Sequence, residues 1–316
     1  MPTISVIIPA FNAEKTIHRA LKSVLSQTKL PNEIIIVDDG STDSTKEISA
    51  TILGEYKIVK YIHQTNLGVS QARNRGIYES TGEYIFFLDS DDYWLNNKII
   101  THVNHLEMHP SCKGSFTNYH YLNLKKSNQI ILNKAINKAP ISKMNLATGV
   151  AKITGSASSF FCAKDALLKT GEFDSKLKFG EDLDVWIRFA ENFEICQLDE
   201  AHVVVTNNDF SAQSQLVHNR KNWIVSDSYI YIWEKNNIEF IKRNDIINSR
   251  KILRVDVRRH MLELNKLFVE FPKNLKSGHP RLFKQIYKSY LNYLILIFVD
   301  IKYDFQKLYQ KFMIKL

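Results

Sequence analysis

Cysteine is scarce in this sequence: the 316 residues include three, Cys112, Cys162 and Cys196. They are widely separated, and none lies in a C-x-x-C pair or in a Cys/His spacing typical of a structural zinc site. So few cysteines, in an odd number, favour a reducing compartment, where we expect all three to be small core residues.

Long apolar runs are also missing. The N-terminal stretch MPTISVIIPAF has no basic residues before its apolar ones, so it is typical of a strand and not of a signal peptide. The strongest apolar stretch near the other end, residues 294–299, is far shorter than the about 20 residues of a transmembrane helix. We therefore expect a cytoplasmic chain.

Acidic residues are scarce in the last third. Residues 219–316 hold 20 Lys and Arg against 9 Asp and Glu, whereas residues 1–218 hold 22 against 24. The basic segment has helical patterns, which suit either a solvated helical subdomain or a surface that rests on anionic lipid. No nucleic-acid-binding module is recognisable, so we predict no nucleic-acid partner. The expected division is a domain over 1–218 and a basic, mainly helical region over 219–316.

Apolar runs and helical patterns alternate over the first 108 residues. The strand-like runs are ISVIIPAF, EIIIVDDG, KIVKYIHQ and EYIFFLDSDD, each apolar on both faces. This alternation predicts an α/β fold with a Rossmann-like, mostly parallel sheet covered by helices.

Polar clusters follow three of these strands, at residues 9–12 (PAFN), 38–41 (DDGS) and 89–92 (DSDD). The carboxyl ends of parallel strands lie at one edge of a sheet, where open α/β sheets bind ligands. We therefore expect the three clusters to border one site.

The carboxylates suggest chemistry for that site. Asp89 and Asp91 form a D-x-D pair that can face one Mg²⁺ or Mn²⁺ bound to a diphosphate, although they could instead cap the next turn. An acidic side chain of the pair Asp38 and Asp39 could accept hydrogen bonds from a ribose or a base, unless the pair only shapes a turn.

A second acidic pair, Glu181 and Asp182, begins a predicted helix in FGEDLDVWIRFA. One of these carboxylates could take a proton from an attacking hydroxyl group as a general base. The alternative is that both residues are favoured there only by the helix dipole.

Five segments occur together between residue 4 and about residue 190: SVIIPAFNAEKTIHRALKSVLSQT, EIIIVDDGSTDST, NLGVSQARNRGI, GEYIFFLDSDDYW and GEFDSKLKFGEDLDVWIRFA. In order and spacing they resemble family 2 glycosyltransferases, which are inverting, nucleotide-sugar-dependent enzymes of the GT-A fold. The resemblance implies a nucleotide-sugar half over 1–110 and an acceptor half over 111–218. It does not extend to the predicted C-terminal helical extension, which matches no family that we can name.

The resemblance also implies roles for single residues. Asp182 would be the catalytic base, and Asp91 with Asp89 would hold Mn²⁺ or Mg²⁺. Glu181 and Trp186 would lie on the acceptor side. The residues that would bind the nucleotide sugar are Pro9, Phe11, Glu14, Asp39, Arg73, Asp89 and Ser90.

The implied function is transfer of a hexosyl or N-acetylhexosaminyl group from a UDP-sugar to a hydroxyl group of a glycan or lipid-linked glycan. Bacterial surface polysaccharide, lipooligosaccharide or capsule would be the product, made at the inner face of the cytoplasmic membrane. The Q-x-x-R-W motif of processive synthases is absent. A non-catalytic nucleotide-sugar-binding or scaffold subunit is the alternative function.

One other enzyme class places a D-x-D after an apolar strand, the haloacid-dehalogenase-type phosphatases. Their motif usually follows the first strand of the core, with Thr or Val two residues after the second Asp, where this sequence has Tyr93. Neither a Walker A motif nor a G-x-G-x-x-G fingerprint is present, so the sequence does not predict a P-loop or dinucleotide-binding enzyme.

Overall fold

A mixed β-sheet forms the centre of the fold. The computed structural model describes residues 2–123, 129–133, 140–141, 156–177 and 180–207. These belong to one compact unit over residues 1–219. The predicted C-terminal helical region, residues 219–316, lies outside the described residues, and the domain boundaries stay a prediction.

Nine strands build the sheet within the described residues. They are β1 (Ile4–Ala10), β2 (Glu33–Asp38), β3 (Val59–His63), β4 (Tyr84–Phe87), β5 (Tyr93–Trp94), β6 (Cys112–Asn123), β7 (Gln129–Asn133), β8 (Phe160–Ala163) and β9 (Glu194–Asn207). The α-helices described are α1 (Ile17–Leu25), α2 (Thr45–Glu55), α3 (Val69–Glu79), α4 (Lys98–Met108), α5 (Lys164–Thr170) and α6 (Glu181–Asn192), with a 3₁₀-helix at Ala157–Ser159.

The strand order is β3-β2-β1-β4-β8-β6-β9-β5, and β7 pairs with β6. The pairs β3–β2, β2–β1 and β1–β4 are parallel. β8 is antiparallel to both β4 and β6, and β6 is parallel to β9. The predicted α/β fold is confirmed, with the parallel part in the first half of the chain and a mixed part in the second.

The inner parallel strands are buried on both faces, as their apolar runs predict. Every residue of β1 and of β2 is buried, whereas β3, at the edge of the sheet, is partly exposed. Helix α3 packs closely on β1 at Gly76, where an added Cβ atom would overlap with Cγ2 of Ile7. Only a glycine allows this approach without displacing the isoleucine.

All three cysteines are buried core residues, as predicted, but two of them are not free thiols. Cys112 at the start of β6 and Cys196 in β9 form a disulfide, with Cα atoms 5.9 Å apart and a sequence separation of 84. Cys162 is free and buried, as predicted. Pairing of β6 with β9 brings the two residues together, and no local pattern signals that pairing. Because two of the three cysteines form a disulfide, the cysteines no longer support the predicted reducing compartment.

Within the described part of the chain, no helix is long and apolar enough to cross a membrane.

Candidate active site

The three polar clusters lie at one edge of the sheet. β1 pairs with β2 so that Ala10 is opposite Asp38, and it pairs with β4 so that Ile7 is opposite Phe87. The chain leaves β1, β2 and β4 at this edge, as predicted. β1 is also the strand from which the order runs one way to β2 and the other way to β4, the topological position at which α/β sheets form a crevice.

Arg73 of α3 joins two of the predicted acidic groups. Its Nη2 lies 2.7 Å from Oδ1 of Asp89, and its Nη1 lies 2.6 Å from Oε1 of Glu181. Arg73 is 3% exposed. Burial alone would lower its pKa, but the charges of Asp89 and Glu181 raise the pKa above its usual value. A permanently charged guanidinium therefore links the D-x-D turn to the beginning of α6.

Asp182 is the second residue of α6, which follows Gly180 in a left-handed conformation (φ 75°). Its Oδ1 accepts a hydrogen bond of 2.7 Å from the N–H of Leu183. Burial, then the charge of Glu181, raises the pKa of Asp182 to about 7, while the charge of Arg73 opposes the shift. A carboxylate with such a pKa is suited to accept a proton near neutral pH.

Asp91 is partly buried beside Asp89. Burial, then the charge of Asp89, raises its pKa to about 6, while the charges of Arg19 and Arg73 oppose the shift by lowering the pKa. Arg19 of α1 fixes the backbone here, because its Nη2 donates a 2.6 Å hydrogen bond to the carbonyl oxygen of Asp91. Sequence reasoning did not identify Arg19.

The residues present fit a divalent cation. Two neighbouring carboxylates, Asp89 and Asp91, offer hard oxygen ligands, and a cation would offset the burial and the repulsion from Asp89 that raise the pKa of Asp91. Within the described residues, no group of three or more His, Cys, Asp or Glu could hold a metal ion. The arrangement therefore suits an ion that takes one or two protein carboxylates and completes its shell with phosphate oxygens and water.

Asp92 holds the D-x-D turn from behind, a role that the sequence did not reveal. Ser158 donates a 2.6 Å hydrogen bond to Asp92 and accepts one of 3.0 Å from the N–H of Asp89. The N–H of Thr206 in β9 donates to Asp92 at 2.9 Å. Burial, followed by the charges of the neighbouring aspartates, raises the pKa of Asp92 well above its usual value. Asp92 is 2% exposed, so we assign it a structural role.

Asp39 shapes the loop that leads into α3. It accepts hydrogen bonds from Gln64 (2.7 Å) and from the N–H groups of Leu67 (2.9 Å) and Gly68 (2.8 Å). Its neighbour Asp38 accepts one from the N–H of Ser41 at 2.9 Å and another from the hydroxyl of Tyr61. Turn formation is thus a part of what this pair does, and the predicted contact of Asp39 with a base stays a prediction.

The other predicted residues fall in different environments. Pro9 is buried within β1, Phe11 just beyond it is 49% exposed, and Ser90 is partly buried beside the carboxylates. Glu14 accepts a 3.2 Å hydrogen bond from the N–H of Ser44, which ties the loops after β1 and β2 together.

Trp186 lies in the hydrophobic core. Its side chain is 1% exposed, and its ring centroid lies 3.8 Å from that of Phe160. This position indicates a role in packing, and its predicted contact with the acceptor stays a prediction. Glu181, by contrast, is at the site, where it is the partner of Arg73.

Comparison with known proteins identifies the family. The sequence model described as "Glycosyl transferase family 2" matches residues 5–163, half of the chain. This protein belongs to glycosyl transferase family 2. An uncharacterized glycosyltransferase of Rickettsia conorii is 36% identical to this family 2 member over 197 residues, which are 62% of this chain and 32% of that protein.

Another relative is the putative teichuronic acid biosynthesis glycosyltransferase TuaG of Bacillus subtilis. It is 42% identical over 123 residues, 37% of this chain and 47% of TuaG. The chain therefore spans less than half the length of both relatives in these alignments.

Solved structures of S. aureus TarS 1–349 share the fold of this family 2 chain. The complex with UDP has a TM-score of 0.64 at 18% identity, covering 91% of this chain and 80% of TarS. The complex with UDP-GlcNAc has a TM-score of 0.64 at 19% identity, covering 91% and 79%. The likeness confirms the predicted GT-A fold.

Proposed function

We propose that this chain transfers a sugar from a UDP-sugar to a hydroxyl group of a glycan or lipid-linked glycan, with inversion of the anomeric carbon. The observation that carries the proposal is the ion-pair bridge through Arg73, which places the D-x-D aspartates and the Glu181–Asp182 pair at one sheet edge. A diphosphate leaving group and a base are the two requirements of this reaction, and the two acidic groups match them.

Asp182 acts as the general base in this mechanism. The acceptor hydroxyl attacks the anomeric carbon from the face opposite the diphosphate, and Asp182 takes the hydroxyl proton as the new bond forms. The bonding electrons of the donor leave with the nucleoside diphosphate. Because one displacement takes place, an α-linked donor gives a β-glycoside.

Asp89 and Asp91 would hold Mn²⁺ or Mg²⁺. When bound, such an ion neutralises charge on the diphosphate as it departs. The chain's own contribution is to hold these two carboxylates in place. Arg19 fixes the backbone of Asp91, and Ser158 with Asp92 fixes that of Asp89.

Similar proteins support the choice of substrates. TarS has been solved with UDP and with UDP-GlcNAc, and TuaG is described as a teichuronic acid biosynthesis enzyme. We propose an N-acetylhexosaminyl donor as the first to test and a surface polymer or its lipid-linked precursor as the acceptor.

The test is nucleotide release from UDP-, GDP-, dTDP- and CMP-sugars, with Mn²⁺, Mg²⁺ or EDTA. We expect release from a UDP-sugar that requires the metal and is lost in Asp91→Ala. Asp165→Ala is the matched control, since Asp165 is exposed on α5 and its ion pair with Lys169 lies at the surface.

Thermal stabilisation by each nucleotide completes the test. Stabilisation by UDP without release from any donor, even with a pool of glycan and lipid-linked acceptors, would favour the non-catalytic binding subunit. If no nucleotide stabilises the protein and none is released, the proposal is wrong.

A further inference from the structure

We infer that Arg73 is a positioning residue, which sets the place of the base Asp182 through Glu181 and does not bind the nucleotide as the family resemblance implies. The inference rests on the proposed function. Its first support is that Arg73 is nearly enclosed, with 3% of its surface exposed. A residue that binds a diphosphate must present a free edge to the site, and little of Arg73 is available for that.

Both terminal nitrogens of Arg73 face carboxylates. Nη1 donates to Glu181 at 2.6 Å and Nη2 donates to Asp89 at 2.7 Å, and both are charge-assisted hydrogen bonds, the stronger kind in proteins. Among the described residues, its buried Nε has no hydrogen-bond partner. The two ion pairs fix the plane of the guanidinium between the D-x-D turn and the beginning of α6, and its burial limits the approach of a nucleotide to the remaining N–H groups.

Neighbouring residues of α3 form hydrogen bonds with the backbone of the segment that precedes α6. Asn74 donates to the carbonyl oxygen of Phe173 and accepts from its N–H, both at 2.9 Å. The hydroxyl of Ser70 donates to the carbonyl oxygen of Asp174 at 3.3 Å. The Arg73 guanidinium lies 5.3 Å from the centre of the Phe173 ring. Arg73 is therefore one of several contacts by which α3 fixes the approach to α6.

Removal of Arg73 would leave Asp89, Glu181 and Asp182 without their buried cation. Buried charges that lose their partner are costly, so the beginning of α6 would move until water or another cation reached them. Displacement of a reacting group by about 1 Å can lower a rate by about 100-fold. The loss would fall on the chemical step, since Asp182 would no longer meet the acceptor hydroxyl.

Kinetics of Arg73→Met, Glu181→Gln and the double variant test this inference. We expect Arg73→Met to lower kcat by about 100-fold and Glu181→Gln to lower it at least tenfold. The double variant should be no slower than Arg73→Met, because both changes break one connection. The Kd of UDP with Mn²⁺ should stay within about threefold of the wild-type value. A lost contact with the nucleotide would instead raise the Kd by about tenfold for each 1.4 kcal/mol of binding energy.

Two further variants sharpen the comparison. Arg73→Lys should stay slow, because one ammonium group is a point charge that cannot bridge two carboxylates as a guanidinium does. Arg75→Met should keep wild-type kcat, because Arg75 lies on the same helix but is half exposed and, among the described residues, forms its ion pair with Glu79 along α3. The inference would be overturned if Arg73→Met weakened UDP binding tenfold or more and if the losses in kcat of the two single variants multiplied in the double variant. That result would show that Arg73 binds the nucleotide.

A stability measurement separates this inference from the proposed function. If the wild type turns over no donor, the proposed function fails, but the connection is still measurable as a double-mutant cycle of melting temperatures. Arg73→Met should lower Tm in the wild type and by less than half as much in Glu181→Gln. An equal decrease in both backgrounds would overturn the inference.

Discussion

Single residues of the site illustrate how burial sets chemistry. Asp182 would be ionised well below neutral pH in water, but burial and Glu181 raise its pKa to about 7. We expect kcat/KM to rise with pH below 7 and to level above it, because only ionised Asp182 can accept the proton. A pH profile of donor and acceptor turnover measures this limb.

The same profile in Glu181→Gln tests the cause. Removing the neighbouring negative charge should lower the pKa of Asp182 and move the limb to lower pH, whatever the height of the plateau. Asp182→Asn should lose about 10²- to 10⁴-fold in kcat. It should also gain thermal stability above pH 7, where the wild type must hold an ionised, partly buried carboxylate beside Glu181. If the rising limb of the profile does not move in Glu181→Gln, that limb belongs to a group other than Asp182.

At the scale of an element, Glu33 at the start of β2 ties three segments together. It accepts hydrogen bonds from Ser5 of β1 (2.6 Å), from the N–H of Thr81 (2.5 Å) and from Lys60 of β3 (2.6 Å). Burial alone would raise the pKa of Glu33, but these hydrogen bonds outweigh it and hold the pKa at about 2. Its stabilising effect is therefore complete above the usual pKa of 4.5 and is lost as the pH falls towards 2.

Glu33→Gln should then lower the free energy of unfolding at pH 7 by about 1–3 kcal/mol, since a charged hydrogen-bond acceptor is lost. Urea unfolding at pH 7 and at pH 3 measures the difference. It should shrink at pH 3, because the unfolded wild type, with its usual pKa of 4.5, is protonated there and must give up a proton to form the ionised carboxylate of the folded state. Glu79→Gln, a partly exposed acid at the end of α3, is the control. A constant difference at both values would mean that the charge of Glu33 is not what stabilises the strand.

The elements also show what a sequence reveals. Buried runs such as those of β1, β2 and β4, and the polar residues that end them, follow from local patterns, so the position of the site was predictable. The connection of Arg73 to Glu181 spans 108 residues, and that of Asp92 to Thr206 spans 114. Such contacts form only when distant strands pair, and they leave no period or motif in the sequence. The same reason hid the Cys112–Cys196 disulfide.

At the scale of the whole molecule, charge is divided unevenly along the chain. Residues 219–316 carry an excess of 11 positive charges over negative ones, whereas residues 1–218 carry an excess of 2 negative charges. A lipid-linked acceptor would present itself at an anionic membrane surface. Basic residues near such a surface each contribute about 1 kcal/mol to binding. Of the two interpretations of this segment, a solvated helical subdomain and a surface that rests on anionic lipid, the second predicts membrane association through the C-terminal region.

Flotation of the full chain with lipid vesicles tests this association. We expect binding to vesicles with anionic lipid, little binding to neutral ones, and release at high salt, which screens surface charge. Residues 250–259 hold five Lys and Arg and one Asp, so replacing those five basic residues with Gln should reduce binding strongly. The control replaces five exposed lysines of the first unit in the same way: Lys46, Lys57, Lys113, Lys169 and Lys176. Equal losses in both variants would mean that net charge alone drives binding, and binding unaffected by either would leave the basic region with another role.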